Sequence, residues 1–167
     1  AVEIEGAPSA YTARIKALQG RVAAEGGDYV GAIEKYDAAL AALPNDAEAW
    51  EGKIRALLGA RQLADAAAEA KSYANTAKTT DAKLLDAEVA IASGDGDRAL
   101  DILDGLASVD TEPRVPFLRG QVYATRLQVD EARPLFAKTL EIDPGFYEAS
   151  IAEGRLMADA HKVGEAA

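Results

Sequence analysis

The sequence predicts an all-α chain built from repeated antiparallel helix pairs, and three observations carry that expectation. An alanine recurs at Ala32, Ala66, Ala99, Ala132 and Ala166, at spacings of 34, 33, 33 and 34 residues. A small residue marks another helix ahead of most of these alanines, at Gly20, Ala87, Gly120 and Gly154, with Ile54 in that place in the second copy. Two marks per period imply two helices per repeat. Apolar residues also fall three and four apart, as on one face of an α-helix, and no run alternates as a half-buried strand does.

The unit is plainest in residues 129–146, VDEARPLFAKTLEIDPGF. Asp130 is expected to cap a helix whose packed face is Ala132, Leu135, Phe136, Thr139 and Leu140. Asp143-Pro144-Gly145 ends it, because proline can neither continue the hydrogen-bond ladder nor leave its predecessor comfortable in the α region. Residues 29–45 repeat this in register, placing Tyr36 on Phe136 and Pro44 on Pro144.

In chain order, residues 1–9 have no sustained period and read as a tail ending in the N-cap signal Pro8-Ser9. Tyr11, Ile15, Leu18 and Val22 define a first helix that stops at Gly26-Gly27, and Asp28 caps the second, to about Ala42. Asn45-Asp46 starts the third, with Trp50, Ile54, Leu57 and Leu58. Leu63 opens the fourth, to about Ala77; its largest apolar side chains are Leu63 and Tyr73, so it should be the most weakly packed. Thr80-Asp81 begins the fifth, and after the turn Ser93-Gly94-Asp95-Gly96 the sixth carries Leu100, Leu103 and Leu106. Asp110 to Pro116 leads into the seventh, where Pro113 suits a first turn but Pro116 is expected to remove a ladder bond. Pro134 is expected within about the first turn of the eighth helix. The ninth runs from about Phe146 to His161.

These residues resemble the tetratricopeptide repeat, a 34-residue helix–turn–helix unit with the pattern Trp, Leu-Gly, Tyr, then Ala, Phe and Pro. Trp50 holds the tryptophan place, Gly20, Gly120 and Gly154 the glycine place, and Tyr123 the tyrosine place. Ala32, Ala66, Ala99 and Ala132 hold the alanine place, Tyr36, Leu103 and Phe136 the aromatic place, and Pro44 and Pro144 the proline place. The second and third copies depart most: Ala70 replaces the aromatic, neither closes with proline, and Pro116 holds the tryptophan place of the fourth. The resemblance implies a right-handed superhelical solenoid of about four repeats plus one further helix. The copies would span about 13–46, 47–79, 80–112 and 113–146, with a partial one at 147–167, in a domain over 10–167.

The composition narrows the function. The formal net charge of −10 and a pI near 4.6 argue against a protein held on nucleic acid or anionic lipid, both of which need concentrated basic surface. No apolar run approaches the roughly 18 residues that span a bilayer, so direct membrane insertion is not expected. With no cysteine, disulfides and thiolate metal sites are excluded. The chain lacks an initial methionine and ends where a second helix of the fifth repeat should begin. It is therefore expected to be a soluble, processed or excised part of a longer cytoplasmic or periplasmic protein.

Motifs that could carry chemistry have simpler readings. Gly94-Asp95-Gly96-Asp97-Arg98-Ala99 matches a dinucleotide fingerprint, but that requires a preceding strand where the repeat places a helix, and the calcium-loop offsets lack glycine and glutamate. It reads as an inter-helix turn. His161, the single histidine, lies close to the end of the last helix and reads as a surface or capping residue, since a catalytic metal site usually needs more than one histidine. No enzyme activity, cofactor or metal is expected.

In this family the first helix of each pair lines a concave groove. The resemblance places Arg14, Ala17, Arg21, Glu48, Glu51, Arg55, Leu84, Glu88, Ile91, Arg114, Phe117, Gln121, Ile151 and Arg155 on that wall. The expected function is a non-catalytic scaffold binding a peptide or helical segment of a partner, with Arg21, Arg55, Leu84, Glu88, Arg114, Phe117, Gln121, Ile151 and Arg155 as contacts. The arginines would hold partner carboxylates, or else pair with Glu48, Glu51 and Glu88; Phe117 would be an aromatic anchor or a packing residue. The family's clamp for chaperone C-termini, which needs lysine and asparagine in the first helix and basic residues in the fifth, meets Ala17, Arg21, Asp81 and Leu85 and is not supported. The alternative is a module that self-assembles through its repeat ends.

Overall fold

The computed structural model describes residues 9–106 and 111–165. Segment 1–8, Asp110 and Ala166, which carry expectations above, lie outside the described residues. Within them are nine α-helices and no strand: α1 (Ser9–Glu25), α2 (Tyr29–Ala42), α3 (Ala47–Gly59), α4 (Leu63–Ala77), α5 (Thr80–Ala92), α6 (Gly96–Asp104), α7 (Arg114–Thr125), α8 (Val129–Ile142) and α9 (Tyr147–Glu165). The chain divides into two compact units, Ala1–Lys78 and Thr79–Ala167.

In the first unit α1 packs on α2 and α3, and α3 on α2 and α4. Its core is thin: Ala17, Ala32, Ala39, Ala49 and Ala56 close around Tyr36, because alanine lets helix axes approach closely. In the second unit α7 packs on α5, α6, α8 and α9. Leu84, Leu103, Val115, Leu118 and Val122 fill one side, and Phe136, Ala132, Ala149 and Leu156 the other.

The turns inside the four helix pairs share one geometry. Asp28 N–H donates to the Ala23 carbonyl at 2.9 Å and Gly27 N–H to Ala24 at 3.0 Å; Gln62 to Leu57, Asp95 to Ala90 and Gln128 to Tyr123 repeat the longer-range bond. This closure needs a left-handed residue, supplied by Gly27 (φ 80), Arg61 (φ 62), Gly94 (φ 81) and Leu127 (φ 55), which recur at the repeat period. The next residue caps the second helix: Asp28 accepts from Gly31 N–H at 2.9 Å and Asp95 from Arg98 N–H at 3.2 Å. The Gly-Asp pair at 94–95 is therefore turn and cap.

Gln62 and Gln128 occupy the same cap position without a side-chain bond. The expected cap Asp130 instead lies inside the first turn of α8, where its charge meets the positive end of the helix dipole. Leu127, 43% exposed, packs little and holds a backbone conformation costing a branched residue about 1–2 kcal/mol. Leu127→Gly combined with Gln128→Asp should raise stability by about 1–2 kcal/mol in a urea titration followed by circular dichroism, while Leu127→Val should lower it.

Both proline expectations need correction. α7 starts at Arg114, so Pro116 sits in its first turn, and the Glu112 carbonyl that its amide would have used accepts from Val115 N–H at 3.1 Å. No ladder bond is lost. α8 starts at Val129, so Pro134 is inside the helix, beyond the first turn, and deprives the Asp130 carbonyl of its donor. Both residues are exposed, so solvent can take that carbonyl.

Candidate partner-binding face

A recessed face lies between α1 and α3. Tyr36 reaches it from α2, between two glycines. A Cβ on Gly20 would stand 3.0 Å from the ring, and one on Gly52 would stand 2.3 Å from Cζ and 2.6 Å from the hydroxyl oxygen. Glycine at Gly52 leaves room for the ring between the two helices, and Gly20 eases its fit on the other side. Tyr36 is 4% exposed. Burial, then the charge of Glu48, push its phenol above the usual range, with Arg21 opposing.

Over this ring opens a cavity of about 600 Å³, with Tyr36 and Gly52 in its lining and Arg21, Glu25, Tyr29, Glu48, Glu51 and Arg55 around them. Arg21 stands 3.7 Å from Glu48 and 3.9 Å from Glu25, and Arg14 stands 3.4 Å from Glu48. Each of these side chains is more than two-fifths exposed, so each pair contributes about 0–1 kcal/mol and exchanges readily for another charge. Tyr29 lies over Gly59, where a Cβ would meet its ring at 2.5 Å.

Other contacts brace α3. Trp50 stacks on Tyr73 with centroids 5.6 Å apart and donates its indole N–H to the Pro44 carbonyl at 2.8 Å. Lys53 bridges Asp37 at 2.8 Å and Glu69 at 2.6 Å, tying α3 to α2 and α4. Burial alone would lower its pKa; the two carboxylates outweigh that and raise it.

Of the residues expected on the wall, Arg21 and Arg55 line one cavity, and Glu88 and Gln121 are half-buried. Ile151 and Arg155 are exposed on α9. Arg114 is bound by Asp81 at 2.5 Å and Glu112 at 2.8 Å, and the guanidinium holds the Glu112 carboxyl below its ordinary range. Two expectations are revised, and Phe117 takes the packing alternative. Ala17 and Leu84 are 1% and 0% exposed and belong to the cores, since the face they share is the one that meets neighbouring helices. Phe117 packs on Phe146 at 4.9 Å and Phe136 at 6.1 Å, as an aromatic within reach of two others does. The sequence reading missed Tyr36 as part of the cavity. The available signal was Gly52, close to the place read at Ile54.

Together the fold and this face define a helical-hairpin repeat protein with a recessed aromatic between successive first helices. Residues 17–82 match the family model Tetratricopeptide repeat, and the fold is that of a tetratricopeptide-repeat solenoid. No curated protein matches the chain in sequence. Among solved structures it is similar to MamA, at 25% identity over 87% of this chain and 80% of that one, with a TM-score of 0.65. TTC0263, a thermophilic TPR protein of Thermus thermophilus, aligns at 21% identity over 92% and 86%, TM-score 0.74. YrrB, described as a TPR protein with an unusual peptide-binding site, aligns at 22% identity over 85% and 74%, TM-score 0.55. Among the described residues no helix is long and apolar enough to cross a membrane.

Proposed function

We propose that the chain is a non-catalytic scaffold that holds a peptide or helical segment of a partner protein on the α1–α3 face. The carrying observation is the cavity over Tyr36, rimmed by charges whose present pairings are long and solvent-exposed. A segment that presents a carboxylate beside an apolar side chain fits it. The carboxylate displaces Glu25 and Glu48 from Arg21, whose planar fork can hold it by two parallel hydrogen bonds, and the apolar group sits against Tyr36 and Tyr29. The peptide-binding site in the description of YrrB supports this at the level of the fold. In the second unit Arg114, Gln121, Ile151 and Arg155 are the corresponding candidate contacts.

Peptides selected by display against the chain should be enriched in Asp or Glu next to an apolar residue. Binding measured by calorimetry should fall at least about tenfold in Arg21→Glu/Arg55→Glu, with circular dichroism confirming the fold. Failure to select any peptide, or unchanged binding by the folded double variant, overturns the reading.

A further inference from the structure

Two polar groups of the cavity over Tyr36 have no partner in the chain. Glu51, half-buried on α3 and part of the lining, makes neither an ion pair nor a hydrogen bond among the described residues. The hydroxyl of the buried Tyr36 makes no hydrogen bond among them either. Arg119 Nε is the one fully enclosed side-chain polar atom without a partner among the described residues, so the Tyr36 hydroxyl is not sealed in. It opens into the cavity that Tyr36 lines, beside Gly52. Each group has given up part of its hydration without gaining a protein partner, which costs stability unless a ligand supplies the bond.

The rim is acidic. Glu25, Glu48 and Glu51 face Arg21 and Arg55, three carboxylates against two guanidiniums. Glu48 raises the Tyr36 phenol more than Arg21 lowers it, so the potential at the hydroxyl is negative as well. A partner carboxylate seated on Arg21 adds a fourth negative charge and frees Glu25 and Glu48. An anion alone therefore meets an opposing field, whereas a cation on the same segment, seated at Glu51, restores the balance.

We infer that the bound segment carries a lysine whose ammonium is held by the Glu51 carboxylate and the Tyr36 hydroxyl oxygen, its methylene stem being the apolar group against Tyr29 and Tyr36. The inference rests on the peptide-binding reading above and specifies its occupant. Lysine suits the place because its ammonium is a compact charge with three donors, carried on a flexible apolar stem. Glu48, which pairs with Arg21, and Glu51 are one turn apart on α3, about 5 Å along the helix axis. The acidic residue and the lysine of the segment therefore lie close together.

Peptides selected by display should carry lysine within about four residues of the Asp or Glu. In the tightest of them, replacing lysine by norleucine, which keeps the stem and removes the charge, should weaken binding at least about tenfold by calorimetry. Glu51→Gln should weaken the lysine peptide by a similar factor and leave the norleucine peptide unchanged, while Arg21→Glu weakens both. Tyr36→Phe, which keeps the ring and removes the hydroxyl, should weaken the lysine peptide alone. The norleucine comparison leaves the protein unaltered, so it decides the matter whatever a variant does to the fold. Selected peptides without lysine, a norleucine peptide that binds as well as its parent, or unchanged binding of the lysine peptide by folded Glu51→Gln overturns the inference and leaves the carboxylate reading standing. Failure to select any peptide removes both.

Discussion

Phe136→Ala should lower the unfolding free energy by about 3–5 kcal/mol, the largest loss expected from a single core truncation in this chain. Phe136 is the largest of the fully buried side chains. Its ring fills the space left by Gly120, where a Cβ would stand 2.6 Å from Cε1, and touches Phe117. Removing it opens a cavity walled by helix backbone on one side, which cannot collapse without moving α7 against α8. Phe136→Leu keeps part of the volume and should cost clearly less. Thermal and urea unfolding of both variants check the order; melts matching the parent would place Phe136 outside the core.

Gly52 should show an effect whose sign depends on Tyr36. Alanine is favoured over glycine inside a helix by about 0.5–1 kcal/mol. Here, however, the added Cβ would lie 2.3 Å from Cζ of a buried ring, and overpacking of this kind costs about 1–3 kcal/mol. Gly52→Ala should therefore destabilise the parent and stabilise a Tyr36→Ala background. The coupling is read as a double-mutant cycle. Additive effects would show that ring and glycine are not in contact.

The same residue pairs show how far the sequence was legible. The alanine period located all four turns and the helices around them, because the short-range hydrogen bonds that reverse the chain recur with it. It could not show that Arg61 and Leu127 adopt the left-handed conformation of Gly27 and Gly94, because neither favours it on its own. The turn is imposed by packing of the helices on either side. Capping followed suit: Asp28 was legible as a cap, while α8 begins directly after Gln128 and so takes that residue, not Asp130.

Sequence by itself determined the all-α class, the repeat period and the helix-pair order, since these depend on spacings within one or two turns of helix. Tertiary structure decided which side of each helix is covered. The stripe Tyr11, Ile15, Leu18 and Val22 and the smaller Ala13 and Ala17 are both helical faces, and hydrophobicity alone favours burying the larger one. Close approach of α1 to α2 and α3 selects the alanine side, because only small residues and Gly20 leave room for Tyr36. For the same reason Leu84, apolar and near the expected wall, went to the core and Phe117 packs half-buried against it, while Arg21 and Arg55 came to line the cavity.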